Sequence, residues 1–176
     1  ELKQHWRLST ELERTADELA VLFAGLLEQA DLSFSNEITG VVIASVVPTS
    51  TTALREMVTR YFAFPPVVVE PGTRTGLSIQ TDNPREVGAD RIVNELAAFD
   101  RYGGPCIVID FGTATTYDVV SEKGEFLGGA IAPGVQTSNA SLSRETARLP
   151  QVELHAPKTP IGRNTVEAIQ SGLIFG

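Results

Sequence analysis

Asp110 stands at the end of an apolar run, Cys106-Ile107-Val108-Ile109, and precedes Phe111-Gly112-Thr113-Ala114-Thr115-Thr116 and a second acid, Asp118. A strand that brings a carboxylate to its C-terminal edge, where open α/β sheets bind ligands, suits a loop for phosphate and cation. Gly112 lets the backbone approach a ligand closely, and Thr113, Thr115 and Thr116 offer hydroxyls and amides to phosphate oxygens. The alternative is an acid-capped hairpin turn whose threonines serve strand propensity.

A second cluster is Glu86-Val87-Gly88-Ala89-Asp90-Arg91. Gly88 within the first turns of a helix costs about 1 kcal/mol relative to Ala, which implies that something large lies against the helix there. Asp90 falls between the buried stripe and solvent, where a half-desolvated carboxylate can serve as a base. Arg91 can hold a carboxylate in bidentate fashion. A closely packed helix with an Asp–Arg surface pair explains the same residues. In a third cluster, residues 162–172, Asn164 or Thr165 reads as a helix cap, which accounts for both. His5 and His155 have no neighbours at metal-ligand spacing, and Asn139-Ala140-Ser141 spells a glycosylation sequon. Asp110-Phe111-Gly112 also spells the metal-binding triplet of protein kinases, but its companion motifs are missing.

Several elements must position these residues. Trp6 and Leu8 alternate with polar neighbours and predict a half-buried strand over residues 5–9. Thr15 and Glu18 form a capping box, followed by Leu19, Leu22, Phe23, Leu26, Leu27 and Ala30 at helical spacing. Residues 39–47 and 65–71 read as buried strands, the first covered on both faces. Between them a helix after Pro48 carries Leu54, Met57, Val58 and Tyr61. Asn83 and Pro84 open a helix that runs to Asp100 and buries Ala89, Ile92, Val93, Leu96 and Ala97. Arg101-Tyr102-Gly103-Gly104 ends it and places a domain boundary between residues 1–101 and 102–176. Strands at Cys106 to Ile109, Thr115 to Val120 and Phe126 to Ile131 follow, the last two joined by a turn at Lys123-Gly124. This succession of elements predicts an α/β protein of two lobes.

At 176 residues, 42% hydrophobic and 20% charged, the composition is that of an ordinary soluble protein. A net charge of −8 argues against nucleic acid, whose phosphates need clustered Lys and Arg. No apolar run approaches the length of a membrane span, and neither a membrane nor a signal peptide is expected. A single cysteine excludes an internal disulfide and suits the cytoplasm. Beginning at Glu1 rather than Met and ending without a polar tail, the sequence is expected to be cut at both ends.

Residues 82–94 (DNPREVGADRIVN), 107–120 (IVIDFGTATTYDVV), 124–136 (GEFLGGAIAPGVQ) and 164–172 (NTVEAIQSG) together resemble type III pantothenate kinases, over essentially the whole chain. The resemblance implies the sugar-kinase, heat-shock-protein and actin superfamily: two ribonuclease-H-like (actin-like ATPase) lobes with mixed sheets and an ATP cleft between them. It implies transfer of the γ-phosphate of ATP to the primary hydroxyl of pantothenate, toward coenzyme A. Asp90 would be the proton acceptor, and Gly88, Ala89, Arg91 and Thr165 would join it in binding pantothenate. Asp110 would hold a monovalent cation (K+ or NH4+), Thr113 would contact ATP, and Mg2+ would bridge its phosphates. A homodimer is implied. So are an upstream strand ending in an Asp-Val-Gly-Asn-Thr-like phosphate loop and a Gly-rich segment beyond Gly176. Thr81 stands where many members carry an aromatic residue. One group of relatives, the Bvg accessory factors, was first described as transcriptional regulators, so a regulatory role and another small-molecule kinase are the alternatives.

Overall fold

Short apolar segments separated by Gly112 and by Lys123-Gly124 dictate an antiparallel meander. A computed structural model of the chain, describing residues 2–34 and 37–176, contains it. Taking all strands and helices in chain order, the elements are α1 (Ala16–Glu28), β1 (Val42–Ala44), α2 (Pro48–Tyr61), β2 (Val67–Val69) and β3 (Ser78–Ile79). They continue with α3 (Ala89–Tyr102), β4 (Cys106–Phe111), β5 (Ala114–Val120), β6 (Glu125–Pro133), α4 (Val135–Glu145) and α5 (Thr165–Phe175). The chain is α/β with one parallel and one mixed sheet. It divides into two compact units, Glu1–Leu77 with Asp82–Ala97, and Ser78–Thr81 with Ala98–Gly176.

In the first unit, β1 and β2 pair in parallel, with Ile43 opposite Val68. Ala16, Ala20, Ile43, Met57 and Val58 form the core, with Leu19, Phe23, Leu54 and Phe62 packed against it. The capping box is present: the Glu18 amide donates to the Thr15 hydroxyl at 3.3 Å, and the Thr15 amide donates to the Glu18 carboxylate at 2.8 Å. Asp17 in the same turn accepts from the Tyr61 hydroxyl at 2.8 Å and from Arg60, tying α1 to the end of α2.

Three expectations are corrected here. Residues 5–9 form no strand, and Trp6 and Leu8 are exposed. A strand exists only as part of a ladder, and among the described residues β1 pairs with β2 alone. Nor is β1 covered on both faces: Ile43 is buried, whereas Val42 is 67% exposed. The helix expected from Pro84 is interrupted. Asn83 caps a single 3-10 turn (Pro84–Glu86), and Val87 then adopts an extended conformation, φ −73° and ψ 123°. Val87 is buried by that break, and α3 starts afresh at Ala89. Of the residues expected to be buried along it, Ala89 and Ile92 are; Val93 and Leu96 are half-buried and Ala97 is exposed.

The second unit holds the sheet β3-β6-β5-β4. β4 and β5 pair antiparallel, with Asp110 opposite Thr116, and β5 pairs antiparallel with β6. Gly124 makes the β5–β6 turn at φ +78°. The register places Val108, Asp118, Val120 and Phe126 on one face, and Asp118, Val120 and Phe126 are buried. Ile107, Ile109, Phe111 and Tyr117 lie on the other face and are exposed, Phe111 by 73%. β4 is therefore covered on one face only. β3 and α4 had no counterpart in the sequence reading.

Asn139, in the sequon, is 3% exposed. Its side chain donates to the Val152 carbonyl at 2.7 Å and accepts from the Val152 amide at 3.1 Å, so it pins residues 150–154 rather than offering a glycan site. Asn139→Ala strands both backbone groups and should destabilise the protein by about 2–3 kcal/mol in urea titrations. A change within about 0.5 kcal/mol, the range of an ordinary surface substitution, would contradict the clamp.

Acid should open the α1 cap. The amide and hydroxyl of Thr15 hold the Glu18 carboxyl below its ordinary value. Just below that ordinary value the native state therefore binds fewer protons than the unfolded chain. The cap's contribution is whole above it and is lost as pH falls through the depressed value. NMR titration should show the Glu18 carboxyl and the Thr15 amide moving together at a pH below that of an unpaired glutamate. A Glu18 midpoint at the ordinary value would show that the cap does not hold in solution.

Candidate functional site

The break at Val87 sets the geometry of the first cluster. With α3 beginning at Ala89, Asp90 falls in its first turn, where the helix dipole favours negative charge. One Asp90 carboxylate oxygen accepts from the Arg91 amide at 2.8 Å, and the Ile92 amide donates to the Gly88 carbonyl at 3.1 Å. A Cβ at residue 88 would come within 2.5 Å of Asp90 Oδ1 and 3.1 Å of a Val46 methyl carbon. A side chain at residue 88 would displace the Asp90 carboxylate and press on Val46, so what lies against the bare backbone is a carboxylate and a valine. Asp90 is exposed, Arg91 half-buried and Ala89 buried. The half-desolvated carboxylate expected from the sequence is not found; Asp90 faces solvent, oriented by its own turn.

In the second unit, Asp110 is exposed near the end of β4, and residues 112–114 close the loop to β5. The Gly112 amide donates to the Ala114 carbonyl at 2.9 Å. A Cβ at residue 112 would sit 3.5 Å from that oxygen, an ordinary contact, so close approach to the rest of the protein does not demand glycine there. It does at Gly134, whose added Cβ would collide with the carbonyls of Gly112 and Thr113. The Gly134 amide donates to the Thr113 carbonyl at 2.9 Å and the Thr137 hydroxyl donates to it at 2.7 Å. The start of α4 therefore braces the Asp110 loop and leaves the Thr113 side chain exposed. Gly134 and Thr137 are the residues that reading the sequence missed. A glycine directly after Pro133 and before a new helix was the available signal.

At the start of α5, Asn164 takes the cap and accepts from the Glu167 amide at 2.9 Å. Thr165 is the first helical residue and exposed, so its hydroxyl is not consumed by capping. Gly88, Ala89, Asp90 and Arg91 thus share one turn of the first unit. Asp110 and Thr113 share one hairpin of the second unit, and Thr165 lies on another of its elements. Thr81, also in the second unit, has a buried hydroxyl oxygen with no hydrogen-bond partner among the described residues. The His155 ring lies beside Gln170, whose Nε2 is 3.1 Å from its Nε2.

Among the described residues no three His, Cys, Asp or Glu side chains gather as a metal centre. Asp110 stands opposite Thr116 in the β4–β5 ladder. Also among the described residues, no helix is long and apolar enough to cross a membrane.

The family model described as type III pantothenate kinase matches residues 1–176. A relative named type III pantothenate kinase from Koribacter versatilis is 54% identical over 172 residues, covering 98% of this chain and 62% of that protein. Another of that name, from Moorella thermoacetica, is 52% identical over 176 residues and 69% of its own length. The chain thus spans roughly two thirds of the length of these relatives. A solved structure from Campylobacter jejuni, described as a Baf family transcriptional activator, superposes with a TM-score of 0.50 at 20% identity. It covers 77% of this chain and 59% of that one, a likeness of fold alone. With its four motifs inside a match along the whole chain, this chain belongs to the type III pantothenate kinase family.

Proposed function

We propose that the protein transfers the γ-phosphate of ATP to the primary hydroxyl of pantothenate, giving 4'-phosphopantothenate and ADP, the first step toward coenzyme A. The observation that supports this reading is the turn at residues 88–91, where the Asp90 carboxylate lies against the bare backbone of Gly88 and accepts from the Arg91 amide. The hydroxyl oxygen attacks the γ-phosphorus, the bond to the β-phosphate oxygen breaks, and the hydroxyl proton passes to Asp90. Phosphoryl transfer asks chiefly for positioning and charge stabilisation, so an exposed, oriented carboxylate suffices as a late proton acceptor. Gly88, Ala89, Arg91 and Thr165 bind pantothenate, with Arg91 suited to a carboxylate. Thr113 contacts ATP, on a loop held still by Gly134 and Thr137.

Asp110 would hold a potassium or ammonium ion, which would offset repulsion between carboxylate and phosphate. Mg2+ would offset charge on the ATP phosphates, with few direct protein ligands. The two units are read as ribonuclease-H-like lobes of the actin-like ATPase kind, and the protein as a cytoplasmic homodimer. Retention of Asp90, Arg91 and Asp110 together favours catalysis over a regulatory role, since a binding module needs no base.

Asp90→Asn should leave ATP affinity nearly unchanged and lower kcat by about 10²- to 10⁴-fold, the usual range for a lost general base. A variant within a factor of two of the parent removes Asp90 from that role. Activity of the intact gene product should rise steeply with potassium or ammonium and little with sodium. Asp110→Ala should abolish that dependence together with most ATP affinity. Full activity in buffer free of monovalent metal and ammonium would give Asp110 another task.

A further inference from the structure

Val46 is an exposed apolar side chain held beside the Asp90 turn. It lies in the connection between β1 and α2, 60% exposed. The Ser45 hydroxyl fixes the backbone there by accepting from the Val47 amide at 3.1 Å and donating to its carbonyl at 3.3 Å. The point where a Cβ would stand on Gly88 is 3.1 Å from Val46 Cγ1 and 2.5 Å from Asp90 Oδ1. A methyl and a carboxylate oxygen thus flank the same bare stretch of backbone. On its other side Val46 borders a cleft of about 360 Å³ that Ser45, Thr51, Arg55 and Val69 also line. All these residues belong to the first unit.

We infer that Val46 is a specificity-determining residue, the apolar contact for the carbon that bears the reacting hydroxymethyl group. The inference rests on the pantothenate reading above. In pantothenate that carbon is quaternary and carries two methyl groups, so a hydroxyl brought to Asp90 carries them to the surface beside Gly88. Val46 is the apolar side chain that the structure places there. It favours a branched, methyl-bearing alcohol over a linear one, by contact rather than by chemistry on the reacting atoms.

The test compares pantothenate with its analogue lacking both methyl groups, using the purified product of the intact gene. The parent should prefer pantothenate by at least about tenfold in kcat/KM, the lower end for loss of an apolar group from a pocket. Val46→Ala should raise KM for pantothenate and shrink that preference about three- to tenfold, with KM for ATP and kcat little changed. Val46→Thr keeps the side-chain shape and should shrink the preference similarly, which supplies the result if the alanine variant folds poorly. Equal losses on both substrates would mean that Val46 only shapes the turn, and would overturn the inference. An unchanged preference in either folded variant would overturn it too. A parent that phosphorylates neither compound would instead overturn the pantothenate reading on which it rests.

Discussion

The space that a side chain at residue 88 would enter holds an Asp90 oxygen and a Val46 methyl. Much of the first unit is arranged around that crowding. The 3-10 turn must end at Glu86, Val87 must turn extended and bury its side chain, and α3 must begin at Ala89 so that Asp90 lands in its first turn. The connection from β1 to α2 must hold Val46 against the same backbone, and Ser45 locks that connection by hydrogen bonds to its own turn. A carboxylate oriented in this way needs no burial to be useful. Its direction comes from the backbone amide of Arg91 and from a glycine that leaves it room.

The Asp110 loop follows the same logic with different parts. Its backbone carbonyl at Thr113 is gripped by Gly134 and Thr137 at the start of α4, so the exposed carboxylate and hydroxyls sit on a fixed frame. Positioning is most of what phosphoryl transfer requires of a protein. At Gly134 backbone carbonyls leave no room for a side chain, at Gly88 the neighbours are the Asp90 and Val46 side chains, and in both loops the chemical groups stay exposed. That also explains why residues proposed to act on charged ligands are among the solvent-facing ones.

Local signals were legible in the sequence. The Thr15–Glu18 box, the Asn83 and Asn164 caps and the meander with its Gly124 turn depend on neighbours within a few residues, and all are present. The residues that depend on distant partners were not. Trp6 and Leu8 alternate as a strand would, yet pair with nothing among the described residues, because alternation specifies a face and not a ladder. β3 is two residues long, too short for any period, and α4 carries almost no apolar stripe. Gly88 could be read as a crowded position from helix propensity alone, but its neighbour Val46 lies 42 positions earlier. Gly134 could not be read in the same way, because the Thr113 carbonyl it packs against lies 21 positions earlier.

The central claim is that this chain's carboxylates serve transfer of a phosphoryl group to pantothenate, and phosphorus NMR of the reaction tests it most directly. With ATP, Mg2+, potassium and pantothenate, the γ-phosphate signal should give way to a phosphomonoester whose phosphorus couples to the two protons of a primary carbinol, with an equal amount of ADP. Inorganic phosphate should form only in traces, and omitting pantothenate should leave ATP intact. ATP that stays intact with pantothenate present, or that yields only inorganic phosphate, would contradict the account.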